Sequence, residues 1–323
     1  MKPATIVALT LALSAGAANA QGNPRARVDK LPTHAVRGLS PAQTQAIYSR
    51  MRRLLDYLAS QPAIANPVAP VCTMLHPWVE QGVGDEGVAM GSILIGLPAT
   101  RRDGSCQTGA NTGIQVWINR LRPVFGCMEP IAGEQFCRLI RLDPGPEGFQ
   151  VHRGPKKIVY VYNRSGAPLM LPATREQYLQ ARERHWSAQA RELREQYDRL
   201  PAQYRTDDSG IRSVEELARQ ARAELQALSP EQRALPACLP NLNGKADAKT
   251  PHWSYGRACE PGFMLGRPNP GIFTRAASRA GIETVVFETD SGRTGSVEPY
   301  LHEYKLELLR KLDFAGLARA LAP

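Results

Sequence analysis

The sequence lacks the short motifs that announce a reaction. It has no Gly-x-Ser-x-Gly nucleophile elbow, no Walker-type phosphate loop and no dinucleotide fingerprint opening a helix. It has no Cys-x-x-Cys pair and no His at finger spacing, which excludes the common structural zinc sites. His302-Glu303 lacks the second His of a zincin helix. Beyond the first residues, no stretch approaches the ~20 apolar residues needed to cross a bilayer. No dense basic block stands out either, so the arms that grip nucleic acid are missing.

What is present begins with an address label. Lys2 supplies a positive start, Ile6 to Ala18 is an apolar run, and Ala18-Asn19-Ala20 is the small-x-small pattern of a cleavage site. The run is too short for a membrane span. Residues 1–20 are therefore expected to be a signal peptide, with the mature chain starting at Gln21 in the periplasm or outside the cell. No Cys follows the site, so a lipid anchor is not expected.

That compartment decides how to read the six cysteines. Their number is even and an exported protein meets oxidising conditions, so disulfides are the default. Proximity favours Cys127–Cys137 and Cys238–Cys259, leaving Cys72–Cys106. The chain carries 43% hydrophobic and 22% charged residues, an ordinary globular balance. The formal net charge is +10, mostly scattered Arg. In an exported protein this points to an anionic envelope component or a protein partner, not to nucleic acid.

Periodicity places the elements. Gln21 to Leu39 is rich in Pro, Arg and Gly and reads as a flexible lead-in. Ser40, Pro41 and Gln43 then open a helix with Ile47, Met51, Leu54, Leu55 and Leu58 on one face. From Cys72 to Leu171, short apolar runs such as "MGSILIGLP", "GIQVWINRL" and "KKIVYVYN" predict four to six mainly antiparallel strands covered by that helix. Thr174 and Gln177 open a long helix whose seam is Trp186, Ala190, Leu193, Tyr197 and Leu200. A box at Ser213 and Glu216 opens a second, with Val214, Ala218, Ala221, Leu225 and Leu228 as its seam. Together they read as an antiparallel hairpin. A short capped helix follows at Ser229 and Gln232, then an irregular stretch from Leu239 to Pro270. A return strand ("IETVVFET") and C-terminal helices close the chain.

The expected fold is α+β: a mainly antiparallel β body with an N-terminal helix, a helical hairpin and a C-terminal helix. By segment this is a helix plus β body over 40–172, a hairpin over 173–235, and a disulfide loop, strand and helix over 236–323.

Two clusters could carry chemistry. "HPWVEQGVGDEG" brings His76, Glu80, Asp85 and Glu86 into what reads as a Gly-rich loop, a set able to hold a divalent metal or run acid–base chemistry. "TPHWSYGRACEPG" offers His252, Trp253, Tyr255 and Arg257 as a sugar or peptide platform. The Asp-Ser-Gly of "ETDSGRTGS" is better explained as a turn. The resulting expectation is a non-catalytic binding or envelope-interaction protein stapled by disulfides, without a cofactor. The alternative is a metal-dependent or acid–base hydrolase built on the His76 loop.

Overall fold

Three helices begin on a hydroxyl residue that accepts a hydrogen bond from the backbone N–H three positions on, while the Gln there accepts one in return. The pairs are Ser40–Gln43, Thr174–Gln177 and Ser229–Gln232. Each box satisfies two backbone donors that a helix start would otherwise leave open.

The computed structural model describes residues 25–68, 70–84, 87–107, 112–121, 131–134, 136–139, 141–153, 157–238, 264–269, 271–274, 279–290 and 299–321. The expected signal peptide over residues 1–20, Asp85, Glu86, Cys127, the cluster His252, Trp253, Tyr255 and Arg257, and Cys259 lie outside the described residues. In chain order the elements are β1 (Ala26–Val28), α1 (Pro41–Ser60), α2 (Pro62–Ala65), β2 (Thr73–Val83), β3 (Ala89–Gly96), β4 (Gly113–Ile118), β5 (Cys137–Arg138), β6 (Asp143–Pro144), β7 (Phe149–Arg153), β8 (Lys157–Asn163) and β9 (Met170–Pro172). Then come α3 (Arg175–Arg199), α4 (Ser209–Ala227), α5 (Pro230–Ala234), β10 (Leu265–Pro268), α6 (Gly271–Thr274), β11 (Thr284–Asp290), α7 (Pro299–Lys311) and α8 (Phe314–Leu321). The fold is α+β, as the periodicity predicts.

Two units form. The first takes the described parts of Met1–Leu121, Leu142–Ala167 and Pro270–Pro323. Among the described residues it holds an eight-stranded sheet in the order β1-β2-β3-β4-β11-β8-β7-β6, antiparallel except for β1 beside β2. That exceeds the expected four to six strands: β1, β6 and β7 are short, β2 reads as a loop, and the apolar runs that form β5 and β9 pair in a different sheet.

One face of the sheet is covered. Leu75, Ile93, Ile95, Val116, Ile118 and Phe287 alternate onto it and meet Ile47, Met51, Leu54, Leu55 and Leu58 of α1. Gly91 gives α1 its room: a Cβ there would press on the Trp78 carbonyl and on Met51. Farther along, Phe314 of α8 stacks on Tyr160 at 4.8 Å and meets Phe149 edge-on. Cys72 and Cys106 form a disulfide that closes the 34-residue span between them. A loop of that size is worth ~3–4 kcal/mol in chain entropy.

The second unit takes the described parts of Arg122–Arg141 and Pro168–Asn269. Helices α3 and α4 pair as the hairpin, and β5, β10 and β9 form a small antiparallel sheet. Phe136, Tyr178, Ala181 and Leu265 make its core, with the Phe136 and Tyr178 rings 5.0 Å apart. Cys137 pairs with Gly266 of β10 and Cys238 bridges to Met264. Both are disulfide-bonded, and no described cysteine is free.

Several local expectations are corrected. Thr73–Val83 is an eleven-residue strand, not a Gly-rich loop. Its alternation is plain, with Leu75, Pro77 and Val79 inward and His76 and Trp78 exposed. Pro77 is tolerated because β1 pairs only as far as Leu75, so a missing N–H there can cost no ladder bond on that side. Residues 25–39 run along the same edge. The Asp29 N–H bonds the Leu75 carbonyl at 2.9 Å, and Arg37 exchanges bonds with Gln81 and Val83.

Helix α4 starts at Ser209, four residues before the expected box. The Asp207 carboxylate accepts from the Ser209 N–H at 2.8 Å and so opens the helix earlier. The α3 seam is buried only at Ala190, because the helix spends its first turns on Tyr178, Leu179 and Ala181 in the unit's core. The stretch read as irregular up to Pro270 contains β10.

Candidate functional site

The outward side of β2, β3 and β4 is the candidate site, and strand register builds it. Trp78 stands opposite Ser92, which stands opposite Trp117, so the two indoles flank one serine across three strands. Adjacent strands lie ~4.8 Å apart, which puts the two tryptophan positions ~10 Å from each other. His76 and Glu80 sit two residues either side of Trp78 and share its face. Trp78 is 39% exposed, unusual for the largest apolar side chain.

The charged groups and the Trp117 indole here have fixed partners. His76 Nδ1 lies 2.9 Å from Asp29 Oδ2, and Arg27 Nε lies 2.8 Å from Asp29 Oδ1. Burial alone would raise the Asp29 pKa, but the hydrogen bonds from His76 and Arg27 outweigh it and hold the carboxyl below its usual range. Arg120 donates to Glu80 Oε1 at 3.2 Å and lies 5.1 Å from the centre of the Trp117 ring. Trp117 Nε1 donates to Glu288 Oε2 at 2.8 Å. Behind Trp78, the His34 ring is 5.9 Å away and in turn meets Tyr48 edge-on. His34 Nε2 is buried without a hydrogen-bond partner. A groove of about 520 Å³ beside it is lined by His34, Leu39, Thr44 and Tyr48.

The structure keeps His76 and Glu80 on one face but does not bring them together. They are four residues apart on an extended strand, ~13 Å, and each is bonded to a different residue. Among the described residues no three His, Cys, Asp or Glu side chains are grouped to hold a metal. The glycine spacing of Gly82, Gly84 and Gly87 matches a dinucleotide loop, but it joins antiparallel β2 and β3 and opens no helix. Asp29, Trp117, Arg120 and Glu288 are the residues that local sequence reasoning misses. Trp117 and Glu288 meet across 171 residues, and only the outward phase of "GIQVWI" hints at the first of them.

No protein-family model, curated protein or solved structure matches the chain, so the functional reading rests on this geometry.

Proposed function

We propose that this is an exported, disulfide-stapled binding protein whose ligand is a saccharide of the cell envelope, held on the outward face of β2–β4. The observation that carries the reading is Trp78. It is an exposed indole flanked on its strand by His76 and Glu80 and across the sheet by Ser92. A flat apolar ring bordered by planar and hydroxyl hydrogen-bonding groups suits a sugar, which offers C–H faces and a rim of hydroxyls. His34, itself against Tyr48, packs beside the indole before any ligand arrives, which lowers the entropy lost on binding. Export is supported by the leader and by the Cys72–Cys106 disulfide.

Calorimetric titration with neutral envelope oligosaccharides tests this. Trp78→Ala should weaken binding about tenfold, the value of one good ring contact, with no change in melting temperature. Binding that is indifferent to Trp78, or seen only with a protein partner, rejects the saccharide reading. One observation favours the hydrolase alternative: Asp29 on Nδ1 orients His76 as a catalytic imidazole is oriented. Cleavage of the bound saccharide, abolished in His76→Ala, would establish it.

A further inference from the structure

The helical hairpin contains the same five-residue phrase twice. Ala190-Arg191-x-x-Arg194 lies on α3 and Ala218-Arg219-x-x-Arg222 on α4. The two helices run antiparallel, so the phrases face each other, and the four arginines line one groove of about 560 Å³. Its floor includes Ala190 and Ala218, which are 7% and 9% exposed and leave space that larger seam residues would fill.

We propose that this groove binds a compact, soluble ligand carrying two phosphoryl groups. Three features argue for it. Between Arg175 and Ala227 every basic residue is Arg and none is Lys. Arg presents a planar fork that grips an oxyanion through two parallel bonds, which a lysine cannot do.

Second, three of the four guanidiniums are braced. Arg194 donates to Glu215 at 3.1 Å and to Asp208 at 3.4 Å, Arg222 donates to Glu183 at 2.7 Å, and Arg219 pairs with Glu216. Each guanidinium has five N–H donors, so bracing leaves donors unspent. Arg191 has no ion pair or hydrogen bond among the described residues. The groove lining holds the four arginines with Glu195 and Glu215, while Asp208, Glu183 and Glu216 brace the arginines from outside it.

Third, the stretch from Arg175 to Ala227 holds ten Arg and ten Asp or Glu, so it carries no net charge. A broad anionic surface would meet the rim carboxylates as well as the arginines. A small anion with two phosphoryl groups entering between the helices meets the guanidiniums first. The volume falls in the range of small-molecule sites, about 300–1,000 Å³.

Pyrophosphate is the probe, titrated calorimetrically into the full chain at low ionic strength. One site per chain is expected. Arg191→Gln with Arg219→Gln should weaken it at least tenfold while circular dichroism stays unchanged. Arg52→Gln with Arg53→Gln, on the exposed side of α1, should leave it intact, as should Trp78→Ala on the sheet face. No pyrophosphate binding, or equal weakening by both arginine pairs, overturns the proposal. Capture by anionic phospholipid vesicles in place of pyrophosphate overturns it too.

Discussion

At the scale of single residues, Asn119 fixes more of the first unit than any neighbour of its size. It is fully buried with φ at 54°, a left-handed conformation that Asn tolerates better than most residues. Its Nδ2 donates to the Ala89 and Gly281 carbonyls at 2.8 and 2.6 Å. Its Oδ1 accepts from the N–H groups of Glu283 and Thr284. One side chain thus ties the end of β4 to the start of β3 and to the approach of β11. Asn119→Ala would strand four buried backbone groups and should cost about 3–5 kcal/mol in denaturant unfolding. A loss below about 1 kcal/mol would refute the hub. Tyr57 makes a different prediction. Burial, then its hydrogen bond to Asp313, pushes its hydroxyl up to about 12. The neutral phenol is the form the fold favours. Its contribution is therefore complete below pH 10, the unfolded value, and is lost as pH rises toward 12. Phenolate absorbance should include a tyrosine ionising near pH 12 that disappears in Tyr57→Phe.

At the scale of elements, the start of α8 gives a test whose sign runs against helix propensity. Gly316 donates its N–H to Asp313 Oδ1 at 2.9 Å, and a Cβ on it would overlap the Tyr57 hydroxyl and the Asp313 carboxylate. In an exposed helix Gly→Ala gains about 1 kcal/mol. Here Gly316→Ala should instead lose about 1–3 kcal/mol, because α8 must move off α1. A raised melting temperature would contradict the packing. The helices were the most legible elements, since a hydroxyl–Gln capping box and an apolar stripe sit within a few residues of each other. β2 was less so. Pro77, Gly82 and the glycines just beyond the strand punctuate like a loop, although Leu75, Pro77 and Val79 against His76, Trp78 and Glu80 already carry the period of two. The site was half legible for the same reason. His76, Trp78 and Glu80 share one strand, whereas Asp29, Arg120 and Glu288 join them only through tertiary register.

At the scale of the whole molecule, the chain builds its first unit from three separated segments and its second from two. The points of exchange, near residues 121, 141, 167 and 269, carry short Pro/Gly turns, such as Ser165-Gly166-Ala167-Pro168 and Pro268-Asn269-Pro270-Gly271, that look like the turns between paired strands. A local reading therefore sees one succession of elements and not two interleaved bodies. The proposed export makes a prediction at this scale. Material recovered from outside the cytoplasm should begin at Gln21 and titrate no free thiol until reduced; an intact Met1 or reactive thiols would count against it. The short β1 strand then takes on a further meaning. It begins at Ala26, five residues after that expected terminus, and with residues 29 and 37 it occupies the outer margin of the longest strand in the sheet. The margin at the far end is the two-residue β6, which ends in Pro144 and offers little to pair with. Both borders are thus closed by a few residues. A protease that trimmed the chain just past Val28 would strip the strand that pairs with Thr73–Leu75, opening that part of the border as a place where a strand of another molecule could add.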